Sequence, residues 1–290
     1  MRVLILGGDG MLGHQLLKSL CKKFEVMVTL KGDQFAYNNS KLFNKDNSFY
    51  GINVFDNYSL LKVLLDFKPD VVLNSLGVIK YRSGAEDLTS SLEVNSLLPN
   101  RLAMFASKMN YRLINFSTDC VFSGESGMYK EEDQTDTNDI YGRTKALGEV
   151  KCESSTLTLR TSFFGLELKY YTGLVEWFLA QKGEIKGFSR AIYSGVSTLE
   201  VAKVVERILI ENIGMNGLYH LSSDPIDKYT LLKSFQEFLG KDDVVIHKDD
   251  NFVIDRSLDS SKLRKEISYA PPSWNTMLSE LADEVKKVKG

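Results

Sequence analysis

The chain has 290 residues, of which 43% are hydrophobic and 26% charged, and a formal net charge of −2. This is ordinary soluble composition, long enough for one large α/β domain or for a domain with an appended lobe. The near balance of charge leaves no electrostatic footprint for nucleic acid or a membrane surface, so an anionic ligand has to meet local positive groups.

Val3, Leu4, Ile5 and Leu6 form an apolar run with the length and β-branched character of a strand buried on both faces. Gly7, Gly8, Gly10 and Gly13 follow, and Leu16, Leu17, Leu20 and Phe24 then recur at helical spacing. In a strand–loop–helix context such glycines permit a tight turn, close approach of the backbone to a phosphate, and close helix–strand packing, while the helix start offers N–H groups to an anion. Two registers fit, Gly8-x-Gly10-x-x-Gly13 and Gly7-x-x-Gly10-x-x-Gly13, and a glycine-rich turn of any α/β protein shares the pattern. Asp9 sits inside this loop, where a carboxylate facing phosphate is repelled. It is expected to point outward or to pair with Lys31, as a polar turn residue.

Residues 25–30 read as a second strand, 57–70 as a helix stopped by Pro69, and 71–77 as another buried strand. A long helix is expected over 91–109 despite Pro99, followed by a strand over 111–118. The alternation predicts a parallel sheet with helices on both faces, and ligands beyond the carboxyl ends of its strands. Cys21, Cys120 and Cys152 lack CxxC spacing, and His14, His220 and His247 lack metal-ligand spacing, so neither disulfide nor metal is expected. The opening strand leaves no room for a signal peptide, and no apolar run approaches a membrane span, so a cytoplasmic protein is expected.

Two later segments sharpen the functional reading. Ser117-Thr118-Asp119 ends a strand at the edge where ligands bind, and Tyr141 and Lys145 share one face of a helix. A phenol with an ordinary pKa of about 10 is a poor acid at neutral pH unless a nearby cation lowers it, and a shift of three units corresponds to roughly 4 kcal/mol. With the Thr118 hydroxyl to hold a carbonyl, the three side chains make a proton-donating site for carbonyl reduction. A YxxxK pair alone is common on helices; the joint pattern carries the weight.

GGDGMLG, NSLG (74–77), Asn95, STDCVFSG, YGRTKALGE and LRTSFFG (159–165) appear in the order, and with the spacing, that resembles the extended short-chain dehydrogenase/reductase family, in its dTDP-4-dehydrorhamnose reductase-like branch. The resemblance covers roughly the first 165 residues. GLYHLSS (217–223) and LDSSKLRKEISYAPPSW (258–274) are weaker echoes, and GVIKYRSGAED (77–87) and LVEWFLAQKGEIKGF (174–188) look closer to bacterial 4-keto sugar reductases. The fold implied is a Rossmann-type doubly wound sheet over 1–165, with a smaller substrate-binding lobe over 166–290 that returns some segments to the sheet.

By resemblance, Tyr141 is the proton donor, Lys145 its activator and ribose anchor, and Thr118 the carbonyl orienter. The cofactor positions are Gly7, Gly10, Met11, Leu12, Gly13, Lys31, Asn53, Val54, Ser75, Leu76, Gly77 and Asn95, together with Tyr141 and Lys145. Asn95 could equally cap a helix kink near Pro99, and small residues at 75–77 also suit a tight exit turn. Asn53 stands where the family more often has Asp. Lys31 favours NADP(H), with NAD(H) usable.

For substrate, Asp119, Cys120, Val121 and Phe122 line the expected mouth of the site. Cys120 replaces a frequent Tyr and makes room for a bulkier sugar substituent; no neighbouring base supports it as a nucleophile. Trp177 and Phe178 either floor a sugar or nucleobase or belong to the lobe core, and Arg160, Lys186 and Arg190 are the basic residues expected to meet a nucleotide diphosphate. The implied activity is NAD(P)H-dependent reduction of the 4-keto group of a dTDP- or UDP-linked 6-deoxyhexose for a bacterial surface polysaccharide. No nucleic-acid or membrane partner is expected, and a homodimer stays open. Two alternatives remain: an epimerase or dehydratase, although Asp119-Cys120 lacks a dehydratase's second acid, and a non-catalytic dinucleotide-binding regulatory subunit like that of methionine adenosyltransferase.

Overall fold

A computed structural model describes residues 1–79, 88–150 and 154–289. Cys152 and the part of GVIKYRSGAED beyond Ile79 lie outside the described residues. The chain opens with strand β1 (Arg2–Leu6), helix α1 (Met11–Leu20), strands β2 (Glu25–Thr29) and β3 (Ser48–Phe49), helix α2 (Asn57–Phe67) and strand β4 (Val71–Asn74). Helix α3 (Leu88–Ser91), a π-helical turn (Leu92–Leu97) and helix α4 (Leu98–Met109) lead to β5 (Arg112–Ser117), α5 (Ile140–Leu147) and β6 (Thr156–Arg160). With the strand Gly217–His220 these form a seven-stranded sheet in the order Gly217–His220, β6, β5, β4, β1, β2, β3. β1 pairs in parallel with β2 and β4, and β4 with β5, giving the Rossmann-like arrangement expected from the alternation.

Local chemistry sets the element ends. The Asp56 carboxylate accepts hydrogen bonds from the Tyr58 and Ser59 N–H groups and starts α2, which stops at left-handed Lys68 (φ 48°) before Pro69. Leu60, Val63, Leu64 and Phe67 bury one face of that helix, in a core with Leu4, Leu6, Val72, Leu98, Leu102 and Leu113.

The helix expected over 91–109 is continuous in direction but not in winding. Pro99 has no N–H to give the Asn95 carbonyl, and the turn before it opens to π-helical pitch over Leu92–Leu97. The Asn95 carbonyl oxygen packs directly on Gly148, where any Cβ would overlap it.

The chain divides into two compact units, one of residues 1–117, 138–159 and 202–218, the other of 118–137, 160–201 and 219–290. A boundary near residue 165, with later segments returning to the sheet, is expected from the sequence; residues 202–218 do lie in the first unit, but the crossings are more numerous and the first falls at Thr118. Several lie inside continuous elements, such as β6 and the helix Thr198–Glu211, so no linker composition marks them. The second unit holds a three-stranded sheet in which Gly183–Tyr193 pairs in parallel with Val244–Asp255 and antiparallel with Ile226–Asp227. Its aromatic core brings Phe178 to 5.7 Å from Phe235, and Phe164 to 5.6 Å from Trp274. Among the described residues no helix is long and apolar enough to cross a membrane.

His14 is buried in α1, where its Nδ1–H donates to the Gly10 carbonyl at 2.9 Å, and burial pushes its pKa from 6.5 down to about 4. Below pH 6.5 the unfolded chain takes up this proton before the native one, so stability falls as pH drops from 6.5 to about 4, by up to about 3 kcal/mol. Urea midpoints at pH 7 and pH 4.5 should therefore differ less for His14→Gln than for the unaltered protein.

Candidate functional site

In the first unit the glycine loop adopts the Gly7-x-x-Gly10-x-x-Gly13 register. Gly7 has φ +83°, and a Cβ there would come 2.7 Å from Leu76 Cδ2; a Cβ on Gly13 would overlap the Gly7 carbonyl oxygen. The Gly10 N–H donates to that same carbonyl at 3.1 Å. Gly8 is small for another reason, since its Cβ would come 2.5 Å from Val28 Cβ on β2. Gly10 is the N-cap of α1, no side chain caps the helix start and no acid lies in its first turn. The cradle thus fits a pyrophosphate, with the positive end of the helix dipole facing it. Met11 is half-buried, and Leu12 packs in the core, so Leu12 can offer only its backbone.

Asp9 neither points outward nor pairs with Lys31. It is buried and accepts a hydrogen bond from the Tyr37 hydroxyl at 2.5 Å, while Lys31 is exposed. Tyr37 ends a short 3₁₀ turn capped by Asp33, and its ring meets Phe43 edge-on at 5.5 Å. The acid in the glycine loop is thus the anchor for the segment after β2. Its partner, 28 residues on, lies in a loop that no periodicity marks.

At the exit of β4 the Ser75 hydroxyl donates to the Leu6 carbonyl at 2.6 Å, Leu76 fills the space beneath Gly7, and Gly77 lies beside the Asn95 amide. Asn95 itself is buried: Oδ1 accepts from the Val78 N–H (2.9 Å), and Nδ2 donates to the Val78 carbonyl (3.0 Å) and to Thr144 Oγ1 (3.1 Å). Asn95 thus bonds backbone groups from the π-helical turn before Pro99, although those of the β4 exit rather than of its own helix. Its side chain binds two other elements to each other, the β4 exit and α5. Asn53 is exposed, with Oδ1 accepting from the Phe55 N–H at 3.1 Å in the turn entering α2, and Val54 packs against the core.

Helix α5 starts where Asp139 accepts from the Gly142 N–H at 2.7 Å. Tyr141 is half-buried in its first turn. Lys145, one turn on, is buried and donates from Nζ to the Phe116 carbonyl at 2.6 Å. Burial pushes the lysine pKa down to about 8 against the pull of Glu149, so it is cationic at neutral pH. Glu149 is buried too, and accepts from the Ser117 hydroxyl at 2.8 Å.

In the second unit Thr118 caps a short turn over Asp119–Val121. Its hydroxyl accepts from the Cys120 N–H (3.2 Å) and donates to Asp119 Oδ1 (3.1 Å). Two cations join this turn from far along the chain. Arg256 Nη1 donates to Cys120 Sγ at 3.4 Å, and Lys228 lies 3.5 Å from the Tyr193 ring centroid. Burial pushes Lys228 down to about 8, while Asp119 and Cys120 draw it back up. Neither cation is near the turn in sequence, which is why sequence reading missed both.

Several expected substrate contacts are interior. Phe122 is fully buried, stacked on Tyr129 at 4.1 Å, so it does not line a mouth. Arg160 is fully buried as well, 5.0 Å over the Phe122 ring, and donates to His220 Nε2 at 3.2 Å. His220 Nδ1–H donates to the Tyr129 carbonyl at 3.0 Å, which fixes Nε2 as the acceptor. Arg160 is therefore an internal strut, not a free cation for a diphosphate. Phe178 is core, whereas Trp177 beside it is 38% exposed. Arg190 is exposed on the long strand, and Lys186 pairs with Asp249 at 3.1 Å.

A family model described as RmlD substrate binding domain matches residues 1–287. A dTDP-4-dehydrorhamnose reductase of Aggregatibacter actinomycetemcomitans is 28% identical over 238 residues, which cover 77% of this chain and 74% of that protein. A probable low-salt glycan biosynthesis reductase, Agl14, of Haloferax volcanii is 23% identical, over 97% of each chain. The crystal structure of a dTDP-4-dehydrorhamnose reductase of Bacillus anthracis in complex with NADP superposes with a TM-score of 0.80 at 18% identity, over 98% of this chain and 99% of that one.

The loop geometry separates its glycines. Gly13→Ala forces a Cβ into the Gly7 carbonyl and should cost about 1–3 kcal/mol. Gly10→Ala, whose Cβ would stand 3.3 Å from the same oxygen, should cost clearly less in the same urea titration.

Proposed function

Because the chain belongs to the RmlD substrate-binding-domain family, we propose that it reduces the 4-keto group of a dTDP- or UDP-linked 6-deoxyhexose with NAD(P)H, on a route to a bacterial surface polysaccharide. The observation that carries this reading is Lys145, buried and cationic one helical turn from Tyr141, in the unit that holds the glycine cradle. The printed names of the reductase relatives support it.

Gly7, Gly10, Gly13 and the start of α1 hold the pyrophosphate of the dinucleotide, which when bound supplies the hydride. Tyr141 gives its phenolic proton to the sugar carbonyl oxygen, and the Lys145 charge stabilises the phenolate left behind. Thr118, whose hydroxyl donates to Asp119, is the proposed carbonyl orienter. Lys228 and Arg256 take the place of buried Arg160 as the basic groups beside the Thr118–Cys120 turn. Lys31, exposed after β2, meets a 2′-phosphate and gives NADPH its preference, with NADH still usable.

Tyr141→Phe should keep dinucleotide affinity and lose turnover by roughly 10²- to 10⁴-fold on a panel of UDP- and dTDP-4-keto-6-deoxy sugars. Near-native turnover in that variant rules the mechanism out. Lys31→Ala should weaken NADPH more than NADH in parallel fluorescence titrations, and equal affinities before and after would remove Lys31 from the account. Dinucleotide that stays stoichiometrically bound through purification and is regenerated each turnover would point to an epimerase instead.

A further inference from the structure

We propose that Glu149, anchored by the Ser117 hydroxyl, is a positioning residue: the counter-charge that keeps the buried Lys145 amine an ammonium. The proposal rests on the reading of Lys145 as the activator of Tyr141.

A buried lysine loses its hydration, and desolvation favours the neutral amine. The acceptor at Lys145 Nζ is the Phe116 carbonyl, a neutral group at 2.6 Å, which orients an ammonium without compensating its charge. Among the described residues, the helix that carries Lys145 also carries Tyr141 and Thr144, the latter bonded to Asn95, while β5 holds the lysine through the Phe116 carbonyl and Glu149 through the Ser117 hydroxyl. Glu149 is, among the described residues, the charged group that raises the lysine pKa against burial, leaving it at about 8.

The fold places this acid deliberately deep. Helix α5 ends at Gly148, whose missing Cβ lets the chain pass flush against the Asn95 carbonyl. The next residue, Glu149, is 8% exposed, and the Ser117 hydroxyl donates to Oε1 at 2.8 Å. Adjacent residues of one strand thus fix both partners: Phe116 through its carbonyl holds the amine, and Ser117 through its hydroxyl holds the carboxylate. A surface glutamate four residues from a lysine would need neither burial nor a hydroxyl donor.

The test uses Glu149→Gln, which keeps an acceptor for Ser117 but removes the charge, and Glu149→Asp, which keeps the charge. The ε-¹³C resonance of Lys145, assigned by its loss in Lys145→Arg, reports the lysine titration with or without dinucleotide. The midpoint should fall by about one pH unit or more in Glu149→Gln, and return most of the way in Glu149→Asp. Turnover and dinucleotide binding, which should decline as pH rises through about 8 in the unaltered protein, should follow that shift. For a one-unit fall the Gln variant would then lose turnover roughly fivefold at pH 8, and at pH 6 little. An unmoved Lys145 midpoint, or a loss of turnover equal at every pH, overturns the proposal. A midpoint that falls in a protein that binds no dinucleotide upholds the role of Glu149 and overturns the proposed reaction instead.

Discussion

One missing hydrogen-bond donor organises the first unit. Pro99 cannot bond the Asn95 carbonyl, so the helix opens to π pitch over Leu92–Leu97, and the freed carbonyl packs on Gly148 at the end of α5. The same turn presents the Asn95 amide to Val78 and Thr144, and the Ser96 hydroxyl to the Thr144 carbonyl at 2.7 Å. Helix α5 is thereby held at its middle and at its end, with Tyr141 and Lys145 on it.

Buried charge is handled alike in both units: each ion is met by a group from a distant element. Asp9 takes the Tyr37 hydroxyl, Lys145 the Phe116 carbonyl, and Arg160 the neutral His220 nitrogen and the Phe122 ring face. Lys228 lies over Tyr193 and is drawn toward Asp119 and Cys120. An unpaired charge at any of these positions would cost several kcal/mol, so the partners are requirements of folding as much as of chemistry. This explains why Arg160, a basic residue at a strand end, is a strut, whereas Lys31 faces solvent.

The chain first leaves the first unit at the carboxyl end of β5, after Ser117, whereas the crossings after Leu159 and Leu218 fall inside strands. Thr118, the proposed carbonyl orienter, is the first residue of such an excursion, so its backbone direction is set by β5 although it packs in the second unit.

The sequence by itself determined the elements whose cause is local. Strand β1, the glycine loop and α1 follow from an apolar run, backbone sterics and helical periodicity, and the Tyr141–Lys145 spacing follows from one helical turn. The parallel sheet follows from alternation, and the family from motifs kept in order. Tertiary structure decided whatever depends on a partner far along the chain. Tyr37 for Asp9, Glu149 turned inward past Gly148, and Arg256 and Lys228 at Cys120 are set by where loops and strand ends meet, which no short-range period encodes. The same holds for Arg160 and Phe122: their residue types suit a binding site, and only burial, a property of the packed whole, places them in the interior.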